Sequence, residues 1–150
     1  MYIVKTIEQY NDKNLIFCEP IKNNIMMDGN FIRILYSTNN MALNGIYLLI
    51  NLTDITCEKY YNKYKCSFNI SKHKELIDHL KAVEDDILKK YKTDKTPSYK
   101  IYEQIKFGFI KVFNDVGCNT NYSFILKISG IWETSTNYGL TYKFCNINIT

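Results

Sequence analysis

The stretch that decides the fold is SKHKELIDHLKAVEDDILKKYK, residues 71–92. Its apolar residues recur at helical spacing and form a single stripe: Leu76, Leu80, Val83, Ile87 and Tyr91. This pattern predicts an amphipathic helix that packs one side against a sheet. Ser71 is the predicted N-cap residue, because its hydroxyl can accept a free backbone N–H group.

The chain before this helix has the patterns of β-strands. Residues 31–36 and 46–52 are rich in β-branched and aromatic side chains. The second run is apolar enough to be a strand buried on both faces or one that curls around a barrel. Residues 60–70 alternate, with Tyr61, Lys63 and Lys65 on the face opposite the apolar side chains. That alternation predicts a half-buried antiparallel strand that leads into the helix.

The chain after the helix also has the character of strands. Residues 99–113 and 138–144 are predicted strands, residues 114–121 a loop, and residues 122–132 the longest strand. Gly130 interrupts this last strand and indicates a bulge or a barrel corner.

The order of strands, one helix and strands predicts a mainly β fold. The most specific form of this prediction is an OB-like antiparallel Greek-key barrel with extra N-terminal strands and a helix at about 71–92. A chain of 150 residues is long enough to bury a core and suits a single domain over residues 1–150.

Composition narrows the class of protein. The sequence is 46% hydrophobic and 15% aromatic, which is typical of a globular chain rather than a disordered one. No apolar run has the length of a membrane span, and the N-terminus does not have the layout of a signal peptide. Five dispersed cysteines without a CxxC motif indicate apolar packing rather than a disulfide framework. We therefore expect a soluble intracellular protein with no membrane partner.

The charge is unevenly distributed along the chain. The net charge is +4, yet residues 59–106 hold twelve lysines against seven acids, a surplus of five. Such a surplus can attract a polyanion, although a solvated lysine-rich surface explains it equally well. Eighteen lysines against the single Arg33 indicate an A/T-rich genome, so the preference for lysine is partly mutational.

The residues give little support for catalysis. The only histidines, His73 and His79, lie six positions apart on the predicted helix, which is a poor spacing for a metal pair. The run 84–86, Glu-Asp-Asp, points in three directions on a helix and is interpreted as a solvated acidic patch. We predict no enzyme activity, no catalytic residues, no metal site and no cofactor.

Nucleic-acid binding has more support, because proteins that hold single strands combine aromatic rings for base stacking with cations along the phosphates. Lysines and aromatic residues share predicted strands on both sides of the helix, with Lys106, Phe107 and Lys111 assigned to one strand. The alternative is that tyrosines fill the core, lysines coat the exterior and Trp132 anchors a corner. The candidate nucleic-acid-binding residues are Arg33, Tyr61, Lys63, Lys65, Lys106, Phe107, Lys111, Lys127, Trp132 and Lys143.

A resemblance adds a suggestion of origin. Residues 128–144, ISGIWETSTNYGLTYKF, resemble the C-terminal hairpin of small OB-fold-like proteins of nucleocytoplasmic large DNA viruses. Residues 30–36 and 43–48 look similar to the same group, and the three stretches together cover under a quarter of the chain. The resemblance implies a viral origin and, since some such proteins look like OB-fold single-stranded DNA-binding proteins, a role on single-stranded DNA.

The sequence therefore predicts a viral single-stranded nucleic-acid-binding protein that acts in DNA replication, repair or packaging. Its partner is expected to be single-stranded DNA or RNA, with a homo-oligomer or a second viral protein as further partners. The expected location is the host cytoplasm, a viral factory or the virion. The alternatives are a structural or capsid-associated viral protein with strand-mediated contacts, and a module that binds a host protein.

Overall fold

The structure is a computed structural model that describes residues 4–22, 29–38, 41–112 and 122–146. The predicted loop at 114–121 and the chain end after residue 146 lie outside these residues. The strands are β1 (Leu15–Phe17), β2 (Ile21–Lys22), β3 (Asn30–Ser37), β4 (Ala42–Leu43), β5 (Ile46–Leu52), β6 (Thr56–Tyr60), β7 (Lys63–Ser67), β8 (Thr96–Ser98), β9 (Phe109–Val112), β10 (Tyr122–Glu133) and β11 (Asn137–Asn146). The α-helices are α1 (Lys74–Lys90) and α2 (Lys100–Ile105).

The hairpin of β10 and β11 organises the sheet. β10 is antiparallel to β11, and its other edge is shared between β5 and β3. The register of the hairpin shifts between Ile128 and Gly130, so the predicted bulge is confirmed. The bulge lies where β10 changes its partner. Pairing with β5 extends along β10 as far as Ile128, and pairing with β3 starts at Gly130. A bulge bends its strand, which suits this change of partner.

The predicted class, mainly β with one long helix, is confirmed. In detail, the described strands form an open mixed sheet rather than the predicted antiparallel barrel. The main path runs β1-β3-β10-β11-β9-β7-β6 and does not close on itself. β8 and β9 both pair with β11 in parallel. Parallel neighbours need a long connection between them, and here residues 113–136 separate β9 from β11 in the chain.

The predicted helix is α1, and its N-terminus differs from the prediction. A 3₁₀ turn at Ser71–His73 precedes α1, so Ser71 is the first residue of this turn and does not occupy the N-cap position. The Asn69 Oδ1 atom accepts the backbone N–H of Lys72 at 3.1 Å instead. An asparagine side chain can satisfy a free N–H group as well as a serine can, so the cap comes from two residues earlier in the chain.

The two faces of the sheet differ in what covers them. We call the face that carries the buried side chains Phe124, Leu126 and Ile128 the inward face, and the opposite face the outward face. α1 and α2 join the inward face in a shared apolar core. The Tyr138 hydroxyl, for example, donates a hydrogen bond to the Leu88 carbonyl of α1 at 3.0 Å.

The predicted strand at 99–113 is wrong over its first half, which forms α2. Ile101 and Ile105 lie one turn apart and are almost fully buried, so apolar residues of high β propensity here form the packed side of a helix. Glu84 of α1 accepts the backbone N–H groups of Ile101 and Tyr102, both at 2.9 Å, and has no exposed surface. The interpretation of Glu84 as part of a solvated patch is therefore also wrong, because its carboxylate caps the N-terminus of α2.

Candidate nucleic-acid interface

Four lysines lie side by side across the outward face. Lys127 of β10 is paired with Lys143 of β11, and Lys65 of β7 is paired with Lys111 of β9. The pairing of Phe144 with Val112 brings Lys143 beside Lys111 and closes the series. Neighbouring strands lie about 4.8 Å apart, so this lysine row extends over about 14 Å from β10 to β7.

The alternation of the strands explains why all four lysines point outward. The residues next to them in sequence, such as Leu126, Ile110 and Cys66, are almost completely buried. Because successive side chains of a strand point to opposite faces, burial of these neighbours leaves the lysines on the outward face. Arg33 of β3 and Lys63 of β7 point to the same face, beside the row.

Aromatic rings lie among these cations. The Lys65 ammonium is 4.7 Å from the centre of the Phe109 ring, and the Lys111 ammonium is 6.0 Å from the same centre. Tyr47 is the cross-strand neighbour of Lys127, whose ammonium lies 5.6 Å from its ring centre. Cation–π contacts of this kind hold the lysine side chains close to the sheet surface.

Two further rings lie over glycines of the sheet. A Cβ atom placed on Gly139 would be 2.7 Å from the Trp132 ring, and one placed on Gly130 would be 2.7 Å from the Phe31 ring. Both rings are partly exposed. Glycine lets an aromatic ring approach the backbone closely, so each ring rests on the sheet with the remainder of its surface toward solvent.

The lysine row lacks acidic partners among the described residues. No ion pair within 4.0 Å in this part of the chain includes Lys65, Lys111, Lys127 or Lys143. The acid nearest to the row in register is Glu58, which faces Lys65 across β6 and β7. Like charges on directly opposed residues repel each other, so the row is a concentrated positive surface.

A hollow of about 420 Å³ lies at the β6–β7 end of the row. Its lining combines cations with two aromatic rings and the single carboxylate of Glu58. The lining residues are Glu58, Tyr60, Lys63, Lys65, Phe109 and Lys111. This composition suits an anionic ligand that also has flat apolar parts.

The buried carboxylates have structural partners instead. Glu133 is 6% exposed and accepts hydrogen bonds from Asn30 Nδ2 at 3.0 Å and from the Tyr91 hydroxyl at 3.1 Å. It also forms an ion pair with Lys95 at 3.3 Å. Burial opposes ionisation of Glu133, but these donors outweigh it and lower its pKa. The carboxylate in turn contributes, after burial, to raising the pKa of Tyr91 to about 12. With these partners satisfied, we interpret Glu133 as a brace between α1 and the sheet.

Seven of the ten predicted binding residues lie on the outward face. They are Arg33, Lys63, Lys65, Lys111, Lys127, Trp132 and Lys143. Tyr61 occupies the turn between β6 and β7 with a positive φ of 57°, and its side chain is 83% exposed beside Tyr60. It is therefore at the end of the sheet rather than on the strand face predicted for it.

Lys106 and Phe107 are not brought to the row. They belong to the turn after α2, so the prediction that they share a strand with Lys111 is wrong. Lys106 borders another hollow, between α1 and α2, and its ammonium lies 5.8 Å from the ring centre of Tyr102. The cause is again α2, which interrupts the sheet before β9 begins.

Several residues of the outward face escaped prediction from the sequence. Phe31 and Phe109 alternate with buried neighbours in their strands, which was a usable indication of their direction. Tyr47 was hidden because β5 is apolar along nearly its whole length. Trp132 lies against Gly139, and Phe31 lies against Gly130. These contacts could not be predicted from the sequence, because they depend on how the strands pair.

No family model, curated protein or solved structure matches this chain. Within the described ranges, no group of three or more His, Cys, Asp or Glu side chains is arranged to hold a metal ion. No helix in the part of the chain that the structure describes has the length and hydropathy needed to cross a membrane. The geometry of the outward face is therefore the main guide to function.

Proposed function

We propose that this protein binds single-stranded nucleic acid across the outward face of its sheet. The observation that carries this proposal is the lysine row on four neighbouring strands, with aromatic rings beside it and no acidic partner within ion-pair distance among the described residues. The proposed role is binding, and the buried carboxylates Glu84 and Glu133 hold elements of the fold together.

The electrostatics favour a polyanion as ligand. Four lysines on neighbouring strands that together span about 14 Å repel one another in the free protein, and a phosphate backbone would replace that repulsion with attraction. Neutralisation of phosphates by lysines also releases counterions, which drives association at low salt.

The aromatic rings favour a single strand over a duplex. Trp132, Phe31 and Phe109 each keep part of their surface exposed on the face that carries the row. Stacking of an unpaired base on such a ring contributes about 1–3 kcal/mol and tolerates any base. The bases of a duplex are already stacked on each other, so they offer these rings little.

Fluorescence anisotropy with a labelled oligo-dT at low salt tests the proposal. We expect saturable binding whose affinity falls with salt, with a slope of log K against log salt of about −0.7 for each phosphate contact. The absence of binding to oligo-dT and to a matched oligoribonucleotide at low salt would refute the proposed function.

A matched pair of double variants distinguishes binding by the lysine row from non-specific attraction to the positive charge of the protein. K127Q/K143Q removes two charges from the outward face, and K74Q/K92Q removes two from exposed positions at the start of α1 and just after its end. We expect the first variant to flatten the salt slope by about 1.4 and the second to leave it almost unchanged. Equal effects of the two variants would show that the outward face is not the binding surface.

A role in viral DNA replication, repair or packaging rests on the resemblance of the hairpin at 128–144 alone. A specific test is to express the protein in cells with replicating A/T-rich plasmid DNA and crosslink it. Recovery of crosslinked single-stranded DNA, in preference to RNA, would support this role.

A second candidate function, strand-mediated contact with another copy of the chain, rests on β6. This strand ends the sheet path among the described residues, and four of its five residues are exposed. An unpaired strand edge can pair with a second chain. Sedimentation velocity at increasing protein concentration, without nucleic acid, would reveal such a dimer.

A further inference from the structure

The sheet has a gap beside β11. β8 pairs with Asn137–Gly139 at one end of β11, and β9 pairs with Phe144 further along. Between these pairings, residues 140–143 have no strand partner on that edge among the described residues. The gap exists because the chain leaves the sheet after β8, forms α2, and rejoins the sheet only at β9.

Side-chain hydrogen bonds fix α2 against this gap. Gln104 donates from Nε2 to the Tyr142 hydroxyl at 3.1 Å, and its Oε1 atom accepts the backbone N–H of Lys111 at 3.0 Å. The Tyr142 hydroxyl donates in turn to the carbonyl of Lys100 at 3.3 Å. One glutamine thus joins α2 to strands on both sides of the gap, so the gap is a built feature rather than a frayed edge.

The gap opens into a hollow of about 400 Å³, which we call the gap hollow. Four lysines, on β7, α2, β9 and β11, contribute to its lining together with the only tryptophan of the chain. They are Lys63, Lys100, Lys111, Lys143 and Trp132. No carboxylate is among the described lining residues. Lys100 has an ion pair with Glu103 at 3.6 Å, but both side chains are 53% exposed, and exposed pairs of this kind are weak.

We propose that the gap hollow holds one nucleotide, with its phosphate among these lysines and its base against the Trp132 ring. The volume lies within the range of small-molecule sites. Ammonium groups from four separate elements can surround a phosphate, and the ring supplies the flat surface that a base requires. The shared chemistry is a nucleoside phosphate, free or within a strand.

This inference rests on the proposed function, because the nucleotide in the gap hollow would be one unit of the bound strand. The nucleotide site and the strand-binding function are nevertheless refuted by different measurements. The remainder of the lysine row, Lys65 and Lys127, does not line the gap hollow. Lys100, conversely, lies on α2 and outside the row. Variants at these two places therefore report separately on the hollow and on the face.

Trp132 provides the readout, since it is the only tryptophan of the chain and the tryptophan emission, excited at wavelengths that tyrosine does not absorb, therefore reports on this place. We would titrate the full chain with thymidine 5′-monophosphate, with thymidine and with oligo-dT, and follow the emission of Trp132 and the anisotropy of labelled oligo-dT. The expected result is saturable quenching by the monophosphate at a concentration at least tenfold lower than by thymidine. K100Q should weaken this binding at least threefold, whereas K74Q on the exposed part of α1 should not change it.

The outcomes separate the two claims. Oligo-dT that binds by anisotropy without quenching Trp132, and without any effect of K100Q, would overturn the gap hollow and leave the proposed function standing. Quenching by the monophosphate, with no binding of oligo-dT or of the matched oligoribonucleotide, would keep the nucleotide site, identify free nucleotide as its ligand, and refute the strand-binding function. Equal quenching by thymidine and its monophosphate would overturn the role given to the lysines, and no quenching by any probe would overturn the site.

Discussion

The two faces of the sheet differ in whether their charged side chains have partners within the protein. On the inward face, Glu84 and Glu133 are buried and each carboxylate accepts hydrogen bonds from named donors. No buried side-chain nitrogen or oxygen among the described residues lacks a partner. On the outward face, the lysine row has no acidic partner within ion-pair distance in the same part of the chain. Charges that are satisfied internally support the fold, whereas charges left unmatched are available to a ligand.

This contrast predicts that substitutions on the two faces affect different properties, and the largest effect is expected on the inward face. Glu84→Ala removes the acceptor of the buried Ile101 N–H group and of the partly buried Tyr102 N–H group. We expect the free energy of unfolding to fall by about 3 kcal/mol or more, since each unsatisfied buried group costs about 1–3 kcal/mol. Urea denaturation measures this loss, with Glu75→Ala on the exposed side of α1 as control. Similar losses for both variants would contradict the capping role.

The next effect concerns the support of Trp132. Gly139→Ala places a methyl group where the Trp132 ring now lies, at 2.7 Å, so the ring or the strand must move. Overpacking of this kind costs about 1–3 kcal/mol. We expect lower stability together with a red shift of the tryptophan emission, as the ring moves toward water. Thr141→Ala, on the same strand and face, is the control, and an unshifted emission in Gly139→Ala would show that the ring does not rest on this glycine.

A smaller effect is expected in acid. The donors around Glu133 hold its pKa below the ordinary value of 4.5. A carboxylate with a lowered pKa contributes stability at pH values above its unfolded pKa and loses that contribution as the pH falls through its folded pKa. Between pH 7 and pH 3, wild type should therefore lose more stability than Glu133→Gln, whose side chain does not titrate. Parallel pH profiles of the two proteins in thermal or urea unfolding would contradict this role.

The smallest effect has the opposite sign. Lys143 lies directly opposite Lys127 and beside Lys111, so Lys143→Gln should relieve repulsion in the free protein. We expect a gain of a few tenths of a kcal/mol at low salt, lost near 1 M salt where the screening length is only about 3 Å. The same variant should bind oligo-dT more weakly. Lys74→Gln is the control, and a loss of stability in Lys143→Gln would show that the row is not under mutual repulsion.

Local patterns in the sequence were enough for the main elements. The helix predicted at 71–92 is present as α1 (Lys74–Lys90), because its apolar residues are neighbours on one helical side. β5 appears at its predicted bounds of 46–52. The position of Gly130 inside a strand pattern likewise indicated the bulge. These features depend on residues a few positions apart, so a single stretch of chain contains the information that determines them.

Long-range contacts, not local sequence, explain why α2 is a helix. Residues 99–113 contain the tyrosines, isoleucines and phenylalanines typical of a strand, and propensity alone favours that assignment. Burial of Ile101 and Ile105 and the cap from Glu84 reverse it. Because Glu84 is seventeen residues from Ile101 in the chain, no local pattern could reveal it.

The sequence by itself determined the β-rich class, the position of the long helix, and an excess of lysines and aromatic rings. It did not determine which of these cations meet, because Lys65, Lys111, Lys127 and Lys143 come from four strands whose pairing depends on long-range register. Alternation fixes the face on which each side chain lies, and only the paired sheet fixes its neighbours. The lysine row, the resting place of Trp132 and the gap hollow are therefore products of the tertiary structure.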